Sequence, residues 1–333
     1  MGITSKQLAE ICGVSRGTVD RALNNKGRID PNTKQRILDA AREQGYRPDP
    51  IARSLVKGKT RNIGVIAFDL QNRYFAQLLN AIEAKARYAG YFINFTLQEN
   101  DPNLEIHQIN DLVDRRVAGL LLCPVNKGAK FGKFLTSLGI PVLTIGNYVS
   151  SEVPFIGMNE SGAASSAVRY IIDRGYEHII FYCPPLKNCD TKNTYVHEQR
   201  VEGFTRELAD SPSISSEIIT DSKDYAWLEK LLDQLDEDTM KKTACFCSGD
   251  IFALDMMKYI HQNHGAIHKK FGLMGFDGID TIDYVTPTLT TIHNPVEEIG
   301  RKAVDLMVAC LESETSLRSE TLIPYHIMPG ETI

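Results

Sequence analysis

The sequence has no long apolar run, no paired set of cysteines and none of the common catalytic motifs, and each absence excludes a class of protein. No stretch approaches the ~20 apolar residues that a membrane-spanning helix needs. The amino terminus also lacks the charged, apolar and small-residue regions of a signal peptide. We therefore expect a cytoplasmic protein that does not interact with a membrane.

The cysteines do not form a recognisable framework. There are seven of them, an odd number, scattered along the chain and mostly within apolar, strand-like segments. This pattern predicts reduced thiols without disulfides. Cys245 and Cys247 share one face of a predicted strand, but no second Cys/His pair at zinc-finger spacing accompanies them. We predict that both thiols are buried by packing, and we predict no metal and no cofactor.

The motifs of several enzyme classes are missing as well. The patterns GxSxG, HExxH and GxxxxGK[ST] are absent, and no GxGxxG opens the first predicted strand–helix unit. The eight histidines are dispersed, and we expect His107, His178 and His197 on solvated faces. No catalytic residue is predicted, and a DNA-linked metabolic enzyme is only a minor alternative.

The most informative pattern lies near the amino terminus. Apolar residues from Ile3 to Leu23 follow helical spacing that is broken once, around Gly13, which suits a tight left-handed turn. Ser15 follows as a helix N-cap. This arrangement is typical of a helix-turn-helix. Its second helix would expose Arg16, Gly17, Asp20 and Arg21, the face that could enter a major groove.

A third helix and a linker follow. Pro31–Gln44 has proline at its start, Asp30 as a cap and Gly45 at its end. The next segment contains two prolines, the short amphipathic turn Ile51–Val56 and several cations. We predict a linker that becomes ordered on contact with a partner.

Charge is divided unevenly along the chain. Residues 1–60 hold 12 lysines and arginines against 6 acids, which leaves 25 against 36 for the remainder. The chain thus has a head of net +6 and a body of net −11, although its total charge is only −5. Because nucleic-acid affinity depends on local cationic density, the head is expected to bind DNA and the body is not.

From Asn62 onward, short apolar runs alternate with longer amphipathic stretches, which predicts parallel sheets flanked by helices. The strand–helix units fall into two consecutive sets: the first ends with the helical pattern Ser161–Arg174, and the second begins with the apolar run HIIFYC. We predict two doubly wound lobes with a ligand cleft between them, lined by the residues that follow each strand.

These features together identify a resemblance. The segment from Ile3 to Leu55 resembles the headpiece and hinge of the lactose/galactose repressor family of bacterial transcription regulators, and the later blocks RVEGF, FCSGDIFALDMM and GLMGFDGIDTIDYVTPTLTTIHNPVEEIGRKAV are also similar to that family. The resemblance implies an α/β protein with a three-helix headpiece (residues 1–48), a hinge helix (49–60) and a two-lobed, periplasmic-binding-protein-like domain (61–333). Three crossovers would give a first lobe of 61–159 plus 290–320 and a second of 160–289 plus 321–333.

The resemblance also implies DNA contacts. Arg16 and Gly17 occupy positions that read base edges, where an arginine can fork onto guanine. Asp20 departs from the usual small hydroxyl; it either accepts a bond from a cytosine amine or forms an ion pair with Arg16 or Lys26. The remaining implied contacts are Arg21 to bases or phosphates, Ser15, Thr18 and Asn24 to the DNA backbone, and Ala52 and Leu55 to the minor groove.

For the effector, the resemblance favours Arg200 and Asp277, whose charges can hold vicinal hydroxyl groups. A structural ion pair between them within the second lobe is the alternative. Gly249 stands where relatives often carry an amide, and Met158 where they often carry an acid. The other candidates are Tyr74 and Phe75 as an apolar platform, Asn72, Asn126, Asn147 and Asn159 as amides or as turn formers, and Asp250 as a ligand or as a helix cap.

The chain is expected to be a homodimeric transcription regulator, a repressor, that binds pseudo-palindromic double-stranded operator DNA. A tetramer is possible, although the carboxyl terminus has no heptad repeat. A sugar or sugar phosphate is expected to control DNA binding, and a non-sugar metabolite such as a nucleobase is the alternative.

Overall fold

A computed structural model describes residues 3–25, 27–46, 60–186, 192–220, 225–235, 241–313 and 315–333. The chain divides into two compact units, residues 1–60 and 61–333, and each is considered by itself. Within the described residues, no helix is long and apolar enough to cross a membrane.

The first unit contains three helices, α1 (Ser5–Ile11), α2 (Arg16–Leu23) and α3 (Pro31–Glu43). Each begins at a side-chain cap, since Thr4, Ser15 and Asp30 accept hydrogen bonds from Gln7 N, Thr18 N and Thr33 N, respectively. The caps satisfy backbone amides that lack a partner within the helix. A small apolar core then joins the three helices, formed by Leu8, Ala9, Cys12, Val19, Ala22, Ile37 and Ala41.

The second unit alternates strands and helices, as the sequence predicts. Its strands are β1 (Asn62–Ala67), β2 (Phe92–Leu97), β3 (Gly119–Leu122), β4 (Val142–Ile145), β5 (Phe155–Gly157), β6 (His178–Cys183), β7 (Ser215–Thr220), β8 (Thr243–Cys247), β9 (Phe271–Asp277), β10 (Thr290–His293), β11 (Glu320–Leu322) and β12 (His326–Met328). Its helices are α4 (Arg73–Tyr88), α5 (Pro102–Asp114), α6 (Gly128–Thr136), α7 (Glu160–Ile172), α8 (Tyr195–Ala209), α9 (Ala226–Gln234), α10 (Asp250–His264) and α11 (Val296–Ser313), with a 3-10 turn at Asp280–Tyr284.

The strands form two six-stranded sheets, one in each lobe. The first has the order β11-β5-β4-β3-β1-β2 and the second β12-β10-β9-β8-β6-β7. All pairings are parallel except that of β10 with β12. Helices cover both faces of each sheet, so the central strands are buried and read as continuous apolar runs. The predicted two-lobed α/β fold is confirmed.

The predicted lobe boundaries need correction near the carboxyl terminus. The lobe bounds drawn from the resemblance placed the strand at Thr290 in the first lobe, whereas β10 pairs with β9 and β12 in the second sheet. Conversely, β11 pairs with β5 in the first sheet. The crossovers therefore lie between β5 and α7, between β10 and α11, and between β11 and β12. The hydrophobic pattern identifies a strand but not its partner, so it could not correct the bounds that were drawn from the resemblance.

The cores bear out the prediction for the cysteines that the structure describes. Cys245 and Cys247 are fully buried in β8, with their sulfur atoms 3.9 Å apart, among apolar residues of α9 and α10. Cys12, Cys123 and Cys183 are buried as free thiols in the same way. Cys189 lies outside the described residues.

Candidate nucleic-acid interface and ligand cleft

Helix α2 presents the predicted polar face to solvent. Val19 and Ala22 are buried against the other two helices, whereas Arg16, Gly17, Asp20 and Arg21 are exposed. Gly13 adopts the left-handed conformation expected of the turn, with φ of 59°. The sequence pattern thus correctly predicts both the turn and the exposed face.

Several of these side chains are held by bonds within α2. Arg21 donates from Nε to the Gly17 carbonyl oxygen at 3.2 Å, and Asn24 donates to Asp20 Oδ1 at 2.7 Å. Ser15 Oγ lies 2.9 Å from Thr18 Oγ1. Within the described residues no ion pair joins Asp20 to Arg16, and Lys26, Ala52 and Leu55 lie outside them.

In the second unit, Arg200 is the centre of a buried charge cluster. Helix α8 places this side chain at the carboxyl end of the second sheet, where it is only 4% exposed. Its Nε donates to Glu160 Oε2 at 2.8 Å, Nη2 donates to Asp277 Oδ1 at 3.3 Å, and Nη1 donates to the Ser248 carbonyl oxygen. The guanidinium also stacks 3.5 Å above the Phe276 ring. The ion pair between Arg200 and Asp277, proposed as an alternative above, is therefore present.

Asp277 is held in an uncommon backbone conformation. It ends β9 with φ of 111°, a value that residues with a Cβ rarely adopt. Such conformations cost about 1–3 kcal/mol and concentrate at functional sites. Burial raises the pKa of the Asp277 carboxyl to about 6, against the opposing effect of Arg200. The uncommon backbone conformation thus places the Asp277 carboxylate against Arg200.

Tyr74, from α4 of the first lobe, reaches this cluster of the second lobe. Its ring packs against the cores of both lobes, and burial together with the nearby Asp277 raises its pKa well above the usual value. Phe75 instead contacts Phe68 and Tyr74, with ring centroids 5.1 and 5.2 Å away. Tyr74 is therefore the residue of the predicted platform that reaches the charged groups.

Asn147 joins the lobes through Asn193. The Asn147 side chain accepts a hydrogen bond from Val196 N of α8 and donates to the Asn193 carbonyl oxygen, at 3.3 and 3.4 Å. Asn193 in turn donates from Nδ2 to the carbonyl oxygens of Asn126 and Tyr148 at 3.2 and 2.8 Å. The loops after β3 and β4 are thereby attached to the segment that precedes α8.

Asn126 is positioned by a buried carboxylate that the sequence did not identify. Glu105 of α5 is fully buried and accepts from the amides of Val125 and Asn126 at 2.8 Å, and from Asn126 Nδ2 at 2.6 Å. Burial raises its pKa to about 7. Glu105 thus holds the loop after β3 in place.

The remaining candidates have structural partners. Asn72 and Asn159 cap α4 and α7, accepting from Tyr74 N at 3.0 Å and Gly162 N at 2.9 Å. Asp250 accepts from Ile279 N at 2.9 Å and from the Thr291 hydroxyl, and it makes no cap bond to its own helix. The helix-cap alternative for Asp250 is wrong, whereas the turn-forming alternative holds for Asn72 and Asn159.

Of the three histidines predicted on solvated faces, His107 is exposed and His178 is half-buried, as is His197. His197 lies one turn before Arg200 on α8, and burial together with that cation lowers its pKa to about 3. Its Nδ1 has no hydrogen-bond partner, as is also true of Ser161 Oγ, Ser248 Oγ and Asn294 Oδ1. Buried polar atoms are normally paired. These four are among nine such atoms in the described residues, and they belong to residues next to Glu160, Arg200 and Asp277, where a polar ligand could bond to them.

Sequence reasoning missed Glu160, Ser248, Asn193 and Glu105. Glu160 offered one signal, since it lies two residues after Met158, where relatives often carry an acid. Asn193 lies in the polar insert before α8, which had been noted only as a whole. Within the described residues, no group of three or more His, Cys, Asp or Glu side chains has the arrangement of a metal site.

The two units define a helix-turn-helix protein with a two-lobed ligand-binding domain. Residues 4–49 match the model for bacterial regulatory proteins of the lacI family, and residues 168–333 match that for a periplasmic binding protein-like domain. The chain thus combines a helix-turn-helix domain of the lacI family with a periplasmic binding protein-like domain, and the relatives compared below are transcriptional regulators.

Full-length similarity supports this assignment. The chain is 27% identical over 330 residues to catabolite control protein A of Priestia megaterium, covering 98% of each chain. It is 28% identical over 312 residues to the transcriptional repressor PurR of Aliivibrio fischeri, covering 92% of this chain and 90% of the relative. The fold matches that of a lac repressor dimer bound to operator and the anti-inducer ONPF, with a TM-score of 0.83 at 20% identity over 100% and 99% of the two chains.

Proposed function

We propose that this protein is a transcriptional repressor that binds pseudo-palindromic operator DNA as a homodimer, and that a small polyhydroxylated effector controls this binding by changing the closure of the two lobes. The observation that carries the effector part is the buried cluster of Arg200, Glu160 and Asp277, surrounded by unpaired polar atoms. Hydroxyl groups both donate and accept hydrogen bonds, which suits such a mixed set.

The closure mechanism follows from contacts that span the cleft. Asn147 and Asn193 bond across it, and Arg73 of α4 makes a bidentate ion pair with Asp280 of the second lobe, with both distances 2.7 Å. A ligand that bonds to both lobes would shift the balance between open and closed forms. Coupling is reciprocal, so an effector that weakens operator binding is itself bound more weakly by the operator complex.

An exposed apolar edge of the first lobe supports the homodimer. Tyr88 at the end of α4 is 88% exposed, and Phe92 and Phe95 on the edge strand β2 are 74% and 55% exposed. Apolar edges of this kind are normally covered by a partner. We propose that a second copy covers it, which would place two headpieces on two half-sites.

The hinge completes this proposal. Leu55 and Ala52, which lie outside the described residues, are proposed to enter the minor groove as a short helix that forms on operator DNA. Leu55→Ala should then reduce DNA bending and weaken operator binding while effector binding stays unchanged, and energy transfer between labelled DNA ends measures the bend.

A nucleobase is the second candidate effector. The ring of Tyr74 reaches the charge cluster from the opposite lobe, and an aromatic wall of this kind suits a planar base as well as the apolar face of a sugar. The two classes are distinguished by direct binding measurements, so both belong in one screen.

The test uses the full chain and an operator selected from random duplexes. Thermal shift identifies binders among sugars, sugar phosphates and nucleobases, and fluorescence anisotropy then measures their effect on operator affinity. Arg200→Ala should abolish the response and leave basal operator affinity near wild type. Because that variant leaves two buried carboxylates without a cation, the double variant Arg200→Met/Glu160→Gln serves as the charge-balanced partner. An unchanged response in both variants contradicts the proposal.

A further inference from the structure

Carboxylates outnumber cations in the cluster described above. Glu160 and Asp277 pair with Arg200, while Asp250 is bonded only to neutral donors and lies close enough to Asp277 to be affected by its charge. Among the described residues, Arg200 is the only cation paired with any of the three carboxylates. His197 adds no positive charge near neutral pH, because its pKa is lowered to about 3.

The protonation of the three acids reflects this imbalance. Burial raises the pKa of Glu160, that of Asp277 to about 6 and that of Asp250 to about 8. The groups that face them are Arg200 and His197 from α8 and Tyr74 from α4. Near neutral pH Asp250 is protonated, so the single guanidinium of Arg200 faces the two carboxylates of Glu160 and Asp277. A further positive charge in the cleft would be stabilised, whereas a phosphate would meet acids that already repel one another.

Two residues that are bonded to the charge cluster carry side-chain acceptors without a hydrogen-bond partner. Asn294 is 3% exposed and donates its backbone N–H to the Asp277 carbonyl oxygen at 3.0 Å, but its Oδ1 has no partner. Ser248 is 1% exposed; its carbonyl oxygen accepts from Arg200, while its hydroxyl is unpaired. These groups are independent of the acids, and they need a ligand that donates hydrogen bonds.

Gly249 leaves room beside the free oxygen of Asp277. Asp277 Oδ1 is bonded to Arg200, whereas Oδ2 has no donor among the described residues. A Cβ at position 249 would lie 3.5 Å from that Oδ2, an ordinary contact, and 3.3 Å from the Phe252 ring, which would have to shift slightly. The extended backbone of Gly249 suits any residue. A side-chain amide at this position would thus be able to donate to Asp277. Its absence leaves Oδ2 for the ligand.

We propose that the effector is an amino polyol, a polyhydroxylated molecule such as an amino sugar whose protonated amine binds Asp277 Oδ2 in the space beside Gly249. This inference rests on the proposed function, because it assumes that the cleft holds the effector. An ammonium group supplies both the missing charge and the hydrogen-bond donors, and the hydroxyl groups bond to the unpaired serine, histidine and asparagine atoms.

The test compares matched ligands on the full-length protein. Isothermal titration calorimetry is run with glucose, galactose and mannose, with glucosamine, galactosamine and mannosamine, and with the three hexose 6-phosphates. At least one amino sugar should bind ten or more times more tightly than its neutral counterpart, and the phosphates should not bind. At pH 6.5 binding of the amino sugar should release protons, because an ammonium lowers the pKa of Asp277; titrations in two buffers of different ionisation enthalpy measure the release.

A variant tests the role of the open position. Gly249→Asn should bring the affinities for the amino sugar and its neutral counterpart to within about threefold, because the new amide occupies Asp277 Oδ2. Gly265→Asn, at the other end of α10 where a Cβ meets no atom within 4 Å, is the control and should keep the preference. Because the positive φ of Gly265 strains any side chain, the thermal stability of the control variant is measured beside its binding.

The outcomes separate this inference from the function on which it rests. A neutral sugar or a phosphate that binds at least as tightly as the amino sugar overturns the amino-polyol inference. The inference also fails if none of the three amino sugars binds. If a neutral sugar or a phosphate weakens operator binding and Arg200→Ala abolishes that effect, the proposed function stands. If the operator complex responds to no sugar, phosphate or nucleobase, the proposed function itself fails.

Discussion

At the scale of single residues, Arg16 is the side chain on which operator recognition should depend most. It is the first residue of α2, it is exposed, and its neighbour Gly17 has no side chain. Arg16→Ala should cost about 1–3 kcal/mol on the selected operator and relax preference at one base pair. Anisotropy on that operator and its single-base variants measures both effects.

Arg42→Ala is the matched control for this measurement. Arg42 is exposed on α3 of the same unit, where it pairs with Asp39 at 3.3 Å. Its removal should lower affinity without changing base preference. Equal weakening of Arg16→Ala on selected and random DNA would make Arg16 a phosphate contact and contradict base reading.

Buried carboxyl groups also predict how stability changes with pH. Asp250 and Glu105 have pKa values of about 8 and 7, far above those of an unfolded chain, so the folded protein binds more protons between pH 4 and 8 and loses stability as pH rises through that range. His197, with a pKa of about 3, acts in the opposite direction, but its contribution is complete above about pH 6.5. The midpoint of thermal unfolding should therefore fall between pH 6.5 and 8.

Two variants test whether Asp250 causes this fall of the unfolding midpoint with pH, that is, the slope of the midpoint against pH. Asp250→Asn should flatten it, because an amide does not titrate. Asp255→Asn, on the exposed face of the same helix, should leave it as in the wild type. A midpoint that rises or stays level in the wild type over this pH range would show that Asp250 is ionised in the folded protein.

The resemblance led to Arg200 and Asp277, because both are charged side chains at positions where the family lines its cleft. It did not lead to Glu160 or Glu105, since a single acid in the first turn of a helix is equally typical of a solvated helix end. Nor did it lead to the partial burial of His197. These properties depend on which elements pack together, and the sequence of one chain does not contain that information directly.

At the scale of elements, the turn between α1 and α2 depends on Gly13. Its φ of 59° disfavours a side chain, although a Cβ there would meet no atom within 4 Å. Gly13→Ala should therefore destabilise the headpiece by about 1–2 kcal/mol through backbone strain alone. Hydrogen exchange of the amides of α2 in the full chain measures this as faster exchange.

Gly17→Ala provides the opposite expectation from the same chemical change. Gly17 lies within α2, where its Cβ would meet only Ser15 Oγ at 3.8 Å. Alanine there should slow exchange, because it favours the helix by about 0.5–1 kcal/mol. If Gly13→Ala also leaves exchange unchanged or slower, the turn does not need a left-handed residue.

The sequence predicted most helices and strands but not every strand pairing. Most helices and strands could be placed from periodicity, and the caps at Ser15 and Asp30 were recognised from residue type. The pairing of β10 and β11 could not, because both strands are short and follow the repeated pattern of neither lobe. β10 lies between β9 and β12 in the second sheet, whereas β11 pairs with β5 at the edge of the first. Helix α11, which connects them, packs on α4 of the first lobe.

At the scale of the whole molecule, charge is separated between the unit that meets DNA and the unit that meets the effector. The basic head supplies affinity for DNA of any sequence, and the acidic body keeps the larger unit away from phosphates. An effector can then act on operator binding without competing with DNA for the same surface. Under the proposed function the effector changes the closure of the two lobes, so contacts that cross the cleft should tune the response.

The ion pair of Arg73 with Asp280 is the most accessible of these contacts. Both side chains are about half exposed, so the pair contributes only about 0.2–1 kcal/mol to closure. Arg73→Ala should weaken effector binding by up to about fivefold and increase the radius of gyration of the effector-free protein in X-ray scattering. The exchange Arg73→Asp/Asp280→Arg should restore both values. Arg87→Ala, which removes a 3.0 Å pair with Glu83 within α4, should change neither. Equal effects of Arg73→Ala and Arg87→Ala would contradict a role for the Arg73 pair in lobe closure.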